Sequence, residues 1–550
     1  MQVFDKKMIQ DGSKIDISGN RVGILLNRSA GLISAIYNCF KSGITYIPFD
    51  PRWPNARING IIESINLEHI ITTKEYCNRI KCRNITIIDE KCCIGFDKQF
   101  IENEVSYILY TSGTTGNPKG VEVRRESLYN FIEGISNIID FSSLKRIACL
   151  TAVSFDIFFL ESVMALEMGL NVILANEDEQ SNPRLMAKLI EENDADIIQM
   201  TPSRMQLLLN YDRDFSCLKC VKEILIGGEA FPIGLLRTLQ KKTTAKIYNM
   251  YGPTETTIWS TVSELTYEKQ INIGKPIKDT EVYIVDENLC ILPIGVAGEI
   301  CIAGKGVAKG YIGNRFLTEE KFIYLPQNPS VRVYRTGDKA RLLPDYNLEY
   351  LGRLDNQVKL RGHRIELEEI EVNINQFEGI NQSIVAIVKT SDTNKDLQAF
   401  YTSETPIEHD KLLEYLRLKL PEYMIPVKLK RIESFIQTLN GKIDRKKVLE
   451  CLEIKEDKQL YVFSKDENMN SLQKELFKII FSVLGIDEKN ILLDEELVDL
   501  GFNSITFVQM VVDIENVFNI EFEIEKLWIK EFPTVRSILE YIVRMLDNSN

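Results

Sequence analysis

The chain has 550 residues, of which 44% are hydrophobic, so it can bury a large core and should hold more than one domain. Its 66 Lys and Arg residues stand against 79 Asp and Glu residues, a net charge of −13. This balance argues against nucleic acid as the main partner, because binding to a phosphate backbone requires a basic surface. We interpret the acidity mainly as a source of solubility.

The 11 cysteines include a lone C-x-x-C at Cys217 and Cys220 and the adjacent pair Cys92 and Cys93. A zinc site needs four ligands at recognisable spacing, and the 3 histidines are isolated, so reduced thiols are favoured over a metal site. The N-terminus lacks the apolar segment of a signal peptide, and no uncharged apolar run approaches about 18 residues. We therefore expect a cytoplasmic protein without a membrane partner.

From residue 21 to about residue 351, short apolar runs alternate with amphipathic stretches. This pattern predicts an α/β fold whose sheets are covered on both faces. The runs predicted as short buried strands are Val22–Leu26, Ile85–Ile88, Tyr107–Tyr110, Ile147–Ala152, Val172–Ala175, Ile197–Met200 and Ile224–Ile226. After about Pro293 the pattern changes to short strands and tight turns.

Residues 353 to about 450 resemble a smaller α+β unit, with helices over Glu366–Asn375 and Lys411–Leu418 and a strand over Ser383–Lys389. A charged, weakly periodic stretch follows, and beyond it three amphipathic helices predict a small bundle. We therefore predict four segments. They are a large α/β core of several subdomains over 1–351, a small α+β subdomain over 352–452, a linker over 453–470 and an all-α bundle over 471–546.

A loop of unusual composition follows the predicted strand Tyr107–Tyr110. It reads Tyr110-Thr-Ser-Gly-Thr-Thr-Gly-Asn-Pro-Lys-Gly120, and its backbone N–H groups, hydroxyls and single lysine can hold phosphates. It lacks the spacing of a P-loop, and in isolation a flexible Ser/Thr/Gly loop explains it equally well. The phosphate-binding candidates are Thr111, Ser112, Gly113, Thr114, Thr115, Gly116 and Lys119.

This loop resembles the signature of the adenylate-forming superfamily, the acyl- and amino-acid-activating ligases, and further matches follow in that family's order. They are Lys41–Asp50, Asn249–Thr257, Gly298–Gly304, Tyr334–Asp338, Gly352–Gly362, Leu420–Pro426 and Asn440–Arg445. Together they resemble the adenylation domain of a nonribosomal peptide synthetase over nearly the whole chain. Such domains usually begin with a further segment before the stretch that corresponds to Val22–Gly43, whereas Met1 lies only about twenty residues ahead of that stretch. Either the chain is naturally short or its start is missing.

The reaction that the resemblance implies joins a substrate carboxylate to the α-phosphorus of ATP and expels pyrophosphate. Because two anions must approach, the site has to supply positive charge. Lys442, after an Asn-Gly turn, is the candidate, and it resembles the lysine that the family's mobile small domain brings into the site. A solvated lysine beside a turn is the alternative.

The resemblance also assigns the nucleotide site. Glu255 is the expected Mg²⁺ carboxylate, although it could instead support other groups or cap a helix. Asp338 is expected to hold the ribose, with Arg353 nearby, and Asp355 resembles the hinge between the large and small domains. Tyr251 is expected to stack on adenine unless it is an ordinary core aromatic. The remaining nucleotide-binding candidates are Gly228, Glu229, Ala230, Asn249, Gly252 and Thr254.

Asp156 matches the aspartate that pairs with the α-ammonium of an amino acid substrate, whereas a helix cap is the alternative role. The family's pocket positions correspond to Asp156, Ile157, Leu160, Gln199, Leu225, Gly227, Met250, Ile258, Trp259 and Lys442. Large side chains fill the space that a substrate side chain would need, which is similar to glycine-selecting members. We therefore expect glycine, with alanine as the nearest competitor, unless Trp259 and its neighbours are merely core.

The segment Asp499-Leu-Gly-Phe-Asn-Ser504 resembles the attachment motif of acyl and peptidyl carrier proteins, and this assigns 4′-phosphopantetheine to Ser504. Most serines at the start of a helix are simply caps. The implied partners are an amino acid, a phosphopantetheinyl transferase and downstream condensation or tailoring enzymes that dock on the acidic carrier.

Two other functions stay open at this point. The chain could activate a different carboxylic acid, or it could be an inactive scaffold that presents a carrier. The intact Thr111–Lys119 loop, Glu255, Asp338 and Lys442 favour an active enzyme. The sequence contains no recognisable condensation, thioesterase or reductase segment that would name a product.

Overall fold

The computed structural model describes residues 3–10, 12–17, 19–96, 103–113, 116–212, 214–355, 357–360, 362–389, 395–432, 434–435, 471–484, 486, 491–497, 500, 502, 504–518, 520, 522–523 and 531–548. The chain forms two compact units. The first comprises Met1–Gly113 and Asn117–Glu366, and the second comprises Thr114–Gly116 and Leu367–Asn550. Among the described residues, no helix is both long enough and apolar enough to span a bilayer.

The strands of the first unit are numbered here in chain order. They are β1 (Val3–Phe4), β2 (Ser13–Ile15), β3 (Arg21–Leu25), β4 (Thr45–Pro48), β5 (His69–Thr72), β6 (Asn84–Ile87), β7 (Ile94–Phe96), β8 (Val105–Thr111), β9 (Lys119–Arg124), β10 (Arg146–Cys149), β11 (Asn171–Leu174), β12 (Ile197–Met200), β13 (Glu223–Gly227), β14 (Lys246–Tyr251), β15 (Thr261–Glu264), β16 (Lys275–Pro276), β17 (Thr280–Val285), β18 (Ala297–Gly304), β19 (Gly310–Tyr311), β20 (Phe322–Leu325), β21 (Asn328–Leu342), β22 (Leu348–Arg353), β23 (Val358–Leu360) and β24 (His363–Ile365).

The helices of this unit are α1 (Lys6–Gln10), α2 (Ala30–Ser42), α3 (Asn55–Ser64), α4 (Arg125–Ser136), α5 (Ile157–Phe159), α6 (Ala165–Glu167), α7 (Glu177–Ser181), α8 (Pro183–Glu192), α9 (Pro202–Tyr211), α10 (Ile233–Lys242) and α11 (Arg315–Lys321). A π-helical turn, Leu160–Met164, joins α5 to α6. Helix α2 shows why such helices begin and end where they do. The Ser29 side chain accepts a hydrogen bond from the Leu32 amide, and Gly43 ends the helix at φ 78°.

Two large sheets form the first unit's framework. One has eight strands in the order β1-β11-β10-β12-β13-β14-β15-β16, and the other has seven in the order β19-β9-β8-β4-β3-β5-β6. In the first, β11, β10, β12, β13 and β14 run parallel. The main core combines side chains of both sheets with those of α2, α4 and the run from α5 to α6. A smaller sheet in the order β17-β18-β21-β20, with β22 paired to β21, completes the unit.

The second unit contains helices and a three-stranded sheet whose strands lie side by side in chain order. Its elements are α12 (Leu367–Asn375), β25 (Ile380–Lys389), β26 (Lys395–Ser403), α13 (His409–Arg417), β27 (Lys428–Arg431), α14 (Ser471–Leu484), α15 (Ser504–Phe518) and α16 (Val535–Asn548). The last three helices share one apolar core that includes Leu476, Phe507 and Ile538.

The α/β core, the α+β unit and the helical bundle predicted from sequence are confirmed. Two strand predictions need correction. The strand predicted over Ile147–Ala152 ends at Cys149, and the following residues form a loop. The strand predicted as buried over Ile85–Ile88 lies at a sheet edge, where Ile85 and Ile87 are 37% and 47% exposed. The predicted linker over 453–470 lies outside the described residues, and the domain boundaries stay predictions.

Candidate active site

Several of the predicted substrate-pocket residues lie where parallel strands of the eight-stranded sheet end. In such sheets the carboxyl ends of the strands share one edge, and loops at that edge form binding clefts. Gln199 of β12 pairs with Leu225 of β13, and Gly227 of β13 pairs with Met250 of β14. The sheet therefore brings together residues that are up to about fifty positions apart in the chain.

Asp156 lies in the loop after β10, directly before α5, and is 8% exposed. Its side chain makes no capping hydrogen bond to α5, so the structure gives no support to a helix-capping role. The Oδ2 atom is buried and has no hydrogen-bond partner among the described residues. Burial raises the pKa of this carboxyl to about 6. A buried acceptor of this kind is suited to pair with a cation.

The indole ring of Trp259 fills the space beside Gly227 of β13, and we call this surface the wall of the pocket. A Cβ added to Gly227 would lie 2.6 Å from Cη2 of Trp259 and 2.7 Å from the Met250 carbonyl oxygen. Trp259 itself is only 2% exposed. The indole therefore occupies the space next to the glycine, and neither residue leaves room for a larger neighbour.

The backbone before Trp259 is strained. Thr257 and Ile258 have φ values of 67° and 65°, a region that β-branched residues rarely adopt. The Thr257 hydroxyl donates a 2.7 Å hydrogen bond to the Gly306 carbonyl, and the Ser260 amide donates one of 2.8 Å to the Tyr251 carbonyl. These bonds hold the turn in its unfavourable conformation.

The remaining predicted pocket residues are mostly apolar and inaccessible. Ile157 is half-buried, and those exposed by 2% or less are Leu160, Gln199, Leu225, Met250 and Ile258. Gln199 Oε1 and Trp259 Nε1 are buried without a hydrogen-bond partner in the described part of the chain. Two polar atoms thus lie unsatisfied among these side chains, which is unusual in a simple core.

A cavity of about 240 Å³ lies beside this wall. The predicted nucleotide-binding residues among those that line it are Gly228, Glu229, Ala230, Asn249, Tyr251 and Gly252. Lys359 also lines the cavity, and burial lowers the pKa of its ammonium group. Asn249 is held by a 2.7 Å hydrogen bond from Nδ2 to the Asn272 carbonyl.

Asp338, the predicted ribose ligand, is 2% exposed and bonded on both oxygens. Tyr251 donates its hydroxyl to Oδ2 at 2.7 Å, and Arg353 Nη1 donates to Oδ1 at 3.0 Å. Arg353 also binds both oxygens of Asp355, at 2.8 and 2.5 Å. One guanidinium therefore connects the predicted ribose carboxylate to the predicted hinge residue.

Glu255 is fully buried in a cluster of cations. Arg364 Nη1 donates to its Oε2 at 2.7 Å, the Tyr311 hydroxyl donates to its Oε1 at 2.8 Å, and Lys119 Nζ lies 3.9 Å from Oε1. Burial alone would raise the pKa of this carboxyl, but Arg364 and Lys119 lower it to about 2. Glu255 is therefore ionised at neutral pH. Thr254, from the same motif, begins a short 3₁₀ turn that ends at Thr256.

The loop predicted to bind phosphate meets the same cluster. The Ser112 hydroxyl donates to the Arg364 carbonyl at 2.8 Å, and Lys119 Nζ donates to Glu366 Oε1 at 3.2 Å. Thr111 Oγ1 is buried and makes no hydrogen bond with a described residue. A Cβ on Gly113 would lie 2.0 Å from the Asn117 carbonyl oxygen, so the loop needs glycine there.

Four predicted residues of this loop and its surroundings remain, and only Gly116 is among the described residues. Gly116 has φ 83°, another conformation that favours glycine. Thr114, Thr115 and Lys442 lie outside the described residues. For these positions the assigned roles stay predictions.

The donor set suits a magnesium ion. An ionised, buried carboxylate is the ligand that a hard divalent cation prefers. In this structure the Arg364 guanidinium occupies one oxygen of Glu255, so a metal ion there would have to replace that cation or share the carboxylate with it. Glu255 is the residue that would hold the ion.

Sequence reasoning missed Arg364, Lys359 and Tyr311. Lys359 lies inside the motif Gly352–Gly362, and Arg364 follows it by two positions, so both could have been considered. Tyr311 lies outside every motif quoted above. It meets Glu255 only because β19 pairs with β9, the strand that begins at Lys119.

The predicted attachment serine begins the 15-residue helix α15. A phosphodiester at such a position meets free backbone N–H groups and the positive end of the helix dipole. Asp499 of the same motif lies outside the described residues. The position of Ser504 thus fits the prosthetic group that the motif implies.

Two family models match the chain. The model of AMP-binding enzymes matches residues 17–312, more than half of the chain. The model of the phosphopantetheine attachment site matches residues 474–542, which include Ser504. The two matches fall on different parts of the sequence and correspond to the two predicted functional parts.

Among curated proteins, the chain is similar to a dimodular nonribosomal peptide synthase of Bacillus subtilis (strain 168), with 33% identity over 539 residues. The alignment covers 95% of this chain but 22% of that relative. Bacitracin synthase 1 of Bacillus licheniformis is 32% identical, and there the chain covers 10% of the relative. The chain thus spans about a fifth or less of the length of these relatives.

Among solved structures, the fold resembles a holo NRPS protein containing adenylation and PCP domains, with a TM-score of 0.78. That match has 23% identity and covers 96% of this chain and 88% of the other. A four-domain nonribosomal peptide synthetase bound to AMP and glycine is 29% identical, with a TM-score of 0.55 and coverage of 97% and 39%. The chain therefore belongs to the AMP-binding enzymes, as an AMP-forming adenylation domain fused to a carrier domain with a phosphopantetheine attachment site.

Proposed function

We propose that the chain activates glycine with ATP, forming glycyl-AMP and pyrophosphate, and then loads the glycyl group onto its own carrier domain during nonribosomal peptide synthesis. The observation that supports the glycine assignment is the contact between Trp259 and Gly227. In the proposed pocket the indole would occupy the space that a substrate side chain needs. A pocket of this kind selects by steric exclusion rather than by attraction.

The substrate's two charged ends have candidate partners in the chain. The unpaired Oδ2 of Asp156 would hold the ammonium group. Lys442 would contact the carboxylate and the α-phosphate, where negative charge gathers in the transition state. Holding both ends brings the carboxylate to the phosphorus in one orientation and removes the entropic cost of the encounter.

The nucleotide is assigned to the cavity beside Tyr251. Asp338 and Arg353 would contact the ribose, while the Thr111–Lys119 loop and Lys119 would contact the phosphates. Mg²⁺, held by Glu255, would neutralise phosphate charge. The phosphopantetheine group on Ser504 would supply the thiol that accepts the aminoacyl group. Withdrawal of Lys442 at the Asp355 hinge would open the site to that thiol.

The comparisons support glycine without deciding it. The 29% identical synthetase was solved with AMP and glycine bound. Alanine is the nearest competing substrate, because one methyl group is worth only about 1–3 kcal/mol in a hydrophobic pocket. We also propose that a phosphopantetheinyl transferase and downstream condensation or tailoring enzymes act on the carrier, and that the reaction takes place in the cytoplasm.

The proposal is tested by amino-acid-dependent exchange of pyrophosphate into ATP, measured across the twenty amino acids and a set of aryl and fatty acids. We expect glycine to give the highest kcat/KM. A preference for an aryl or fatty acid would show that another carboxylate is activated, and no exchange with any acid would indicate an inactive scaffold.

Two variants separate the half-reactions. The Lys442→Ala variant should lose about 10²–10³-fold in exchange while still binding ATP, because it lacks charge stabilisation of the transition state. The Ser504→Ala variant should exchange normally but carry no glycyl group, as measured by intact-protein mass spectrometry after treatment with a phosphopantetheinyl transferase. Exchange at the wild-type rate by the Lys442 variant would remove that residue from the mechanism.

A further inference from the structure

The peptide segment ahead of Asp156, Leu150 and Thr151, is held by three charged side chains and by Gln180, whose Nε2 donates to the Leu150 carbonyl at 2.8 Å. Glu161 Oε2 accepts hydrogen bonds from the amides of Leu150 and Thr151, both at 2.8 Å, and its Oε1 accepts the Thr151 hydroxyl at 2.7 Å. The same carboxylate therefore satisfies three donors at the point where β10 ends and the loop to Asp156 begins.

The carbonyl groups of the same two residues accept hydrogen bonds from arginine side chains. Arg204 Nη1 donates to the Leu150 carbonyl at 2.9 Å, and Arg28 Nη1 donates to the Thr151 carbonyl. Arg28 also donates to the Cys149 carbonyl at 2.5 Å and is only 8% exposed. We call Glu161, Arg28 and Arg204 the charged clamp.

Glu161 is fully buried, and it lies in the π-helical turn that follows Asp156 by one turn of the helix. π-Helical turns are rare and are frequently found at functional sites. Burial raises the pKa of the Glu161 carboxyl, while the Thr151 hydrogen bonds and both arginines oppose that rise. The three charges of the clamp therefore depend on one another. Burying them costs desolvation free energy, and removing one of them costs more because another buried charge then loses its partner.

The clamp encloses the loop that carries Asp156. Thr151 is fixed at one end, and the helix bearing Glu161 fixes the other end. Residues 152–156 therefore form a short closed segment, stabilised within by a 3.1 Å hydrogen bond from the Phe155 amide to the Ala152 carbonyl. A binding group needs its position held to within about 0.5 Å, and it obtains this from neighbours that are themselves locked.

We propose that Glu161 is a positioning residue for amino-acid recognition, which sets the place of the Asp156 carboxylate without touching the substrate. This inference rests on the proposed role of Asp156 in holding the substrate ammonium group. Glu161 differs from an ordinary core residue because its bonds converge on this one loop, and loosening the loop should weaken contact with the amino acid more than contact with ATP.

The test compares Glu161→Gln with Glu167→Gln, a matched control in the same helical run. Glu167 is also a carboxylate that accepts a hydroxyl, from Tyr37 at 2.6 Å, and it pairs with Lys6 and Lys41. Among the described residues, these partners lie outside the loop that carries Asp156. Both variants lose one charge and keep their shape. KM for glycine and for ATP would be measured by pyrophosphate exchange, with near-ultraviolet circular dichroism to confirm the fold.

We expect Glu161→Gln to raise KM for glycine by about 10–100-fold and KM for ATP by less than about twofold, while Glu167→Gln changes neither. If Glu161→Gln fails to fold, Thr151→Val removes one of the three hydrogen bonds and should raise KM for glycine by about three- to tenfold. Equal changes in both KM values, or a loss of kcat alone, would show a merely structural role and overturn the proposal.

The wild-type protein separates this inference from the function on which it rests. Absence of exchange with every amino acid would refute the proposed function and the positioning role together. Exchange by the wild-type enzyme, with Glu161→Gln indistinguishable from Glu167→Gln, would refute the positioning role alone. Should another amino acid be preferred, the same KM comparison applies to that substrate.

Discussion

Cη2 of Trp259 lies 2.6 Å from the point that a Cβ on Gly227 would occupy, so the largest side chain of the pocket rests on its smallest residue. The two residues belong to different segments, and the strained turn at Thr257 and Ile258 holds the indole in place. If these residues line the substrate pocket, as proposed, the limit on substrate size depends on both partners.

Shortening the indole should open the pocket. We expect Trp259→Leu to lower the ratio of kcat/KM for glycine over alanine by about tenfold, because the smaller side chain no longer excludes a methyl group. Trp53→Leu is the control, since Trp53 is 3% exposed in a separate core cluster and should cost similar stability. The ratio does not depend on the folded fraction, so an unchanged ratio in the Trp259 variant would contradict the pocket assignment.

Adding a side chain at the glycine position should strain the same contact. We expect Gly227→Ala to lower stability by about 1–3 kcal/mol, because the new methyl group meets both an aromatic ring and a backbone carbonyl. Gly234→Ala in α10 is the control, since nothing lies within 4 Å of its added Cβ. That variant should be neutral or about 1 kcal/mol more stable. Thermal unfolding midpoints of the two variants measure the difference, and equal midpoints would argue against the close contact.

The Asp156 carboxyl should make activity and stability respond to pH in opposite directions. Its pKa rises from 3.8 in the unfolded chain to about 6, so its contribution to stability is present below pH 3.8 and is lost as the pH rises through about 6. Pairing with an ammonium group needs the ionised form, so kcat/KM for glycine should fall as the pH drops below about 6.

The variant Asp156→Asn tests both effects. It should raise the unfolding midpoint at pH 8, where the wild-type protein must bury a charge, and it should increase KM for glycine by more than about 100-fold. KM for ATP serves as the internal control and should change by less than about twofold. A variant that kept the wild-type pH profile would assign the titration to another group.

Substitutions of Glu255 and Arg364 should have strongly non-additive effects on the free energy of unfolding. The pKa of Glu255 is lowered to about 2, so its contribution to stability is present above about pH 4.5 and is lost as the pH falls through about 2. At pH 7 we expect Glu255→Gln and Arg364→Gln each to cost about 3–5 kcal/mol, because each removes the nearest charged partner of a buried charge. The double variant should cost clearly less than the sum in urea unfolding, whereas additive costs would show that the two groups act independently.

Sequence patterns predicted most of the architecture because apolar periodicity reflects burial directly. Strands such as β12, which runs over Ile197–Met200 as predicted, are buried on both faces. The pattern failed where burial depends on neighbours. Ile85 and Ile87 resemble core residues in sequence, but among the described residues β6 is the edge strand of its sheet. The strand after Ile147 ends early because Glu161 captures the amides of Leu150 and Thr151.

The order of motifs along the chain determined the family and the candidate site residues. The chemistry of adenylation demands the same residue types in each motif, and each motif is a short contiguous stretch that can be recognised without the fold. The tertiary structure alone decided which side chains surround Glu255, that Trp259 covers Gly227, and that Glu161 closes the loop of Asp156. The physical reason is that these contacts join strands, loops and helices that are distant in sequence. They form only when the sheets and loops have come together, and the electrostatic state of each carboxylate then follows from the charges gathered around it.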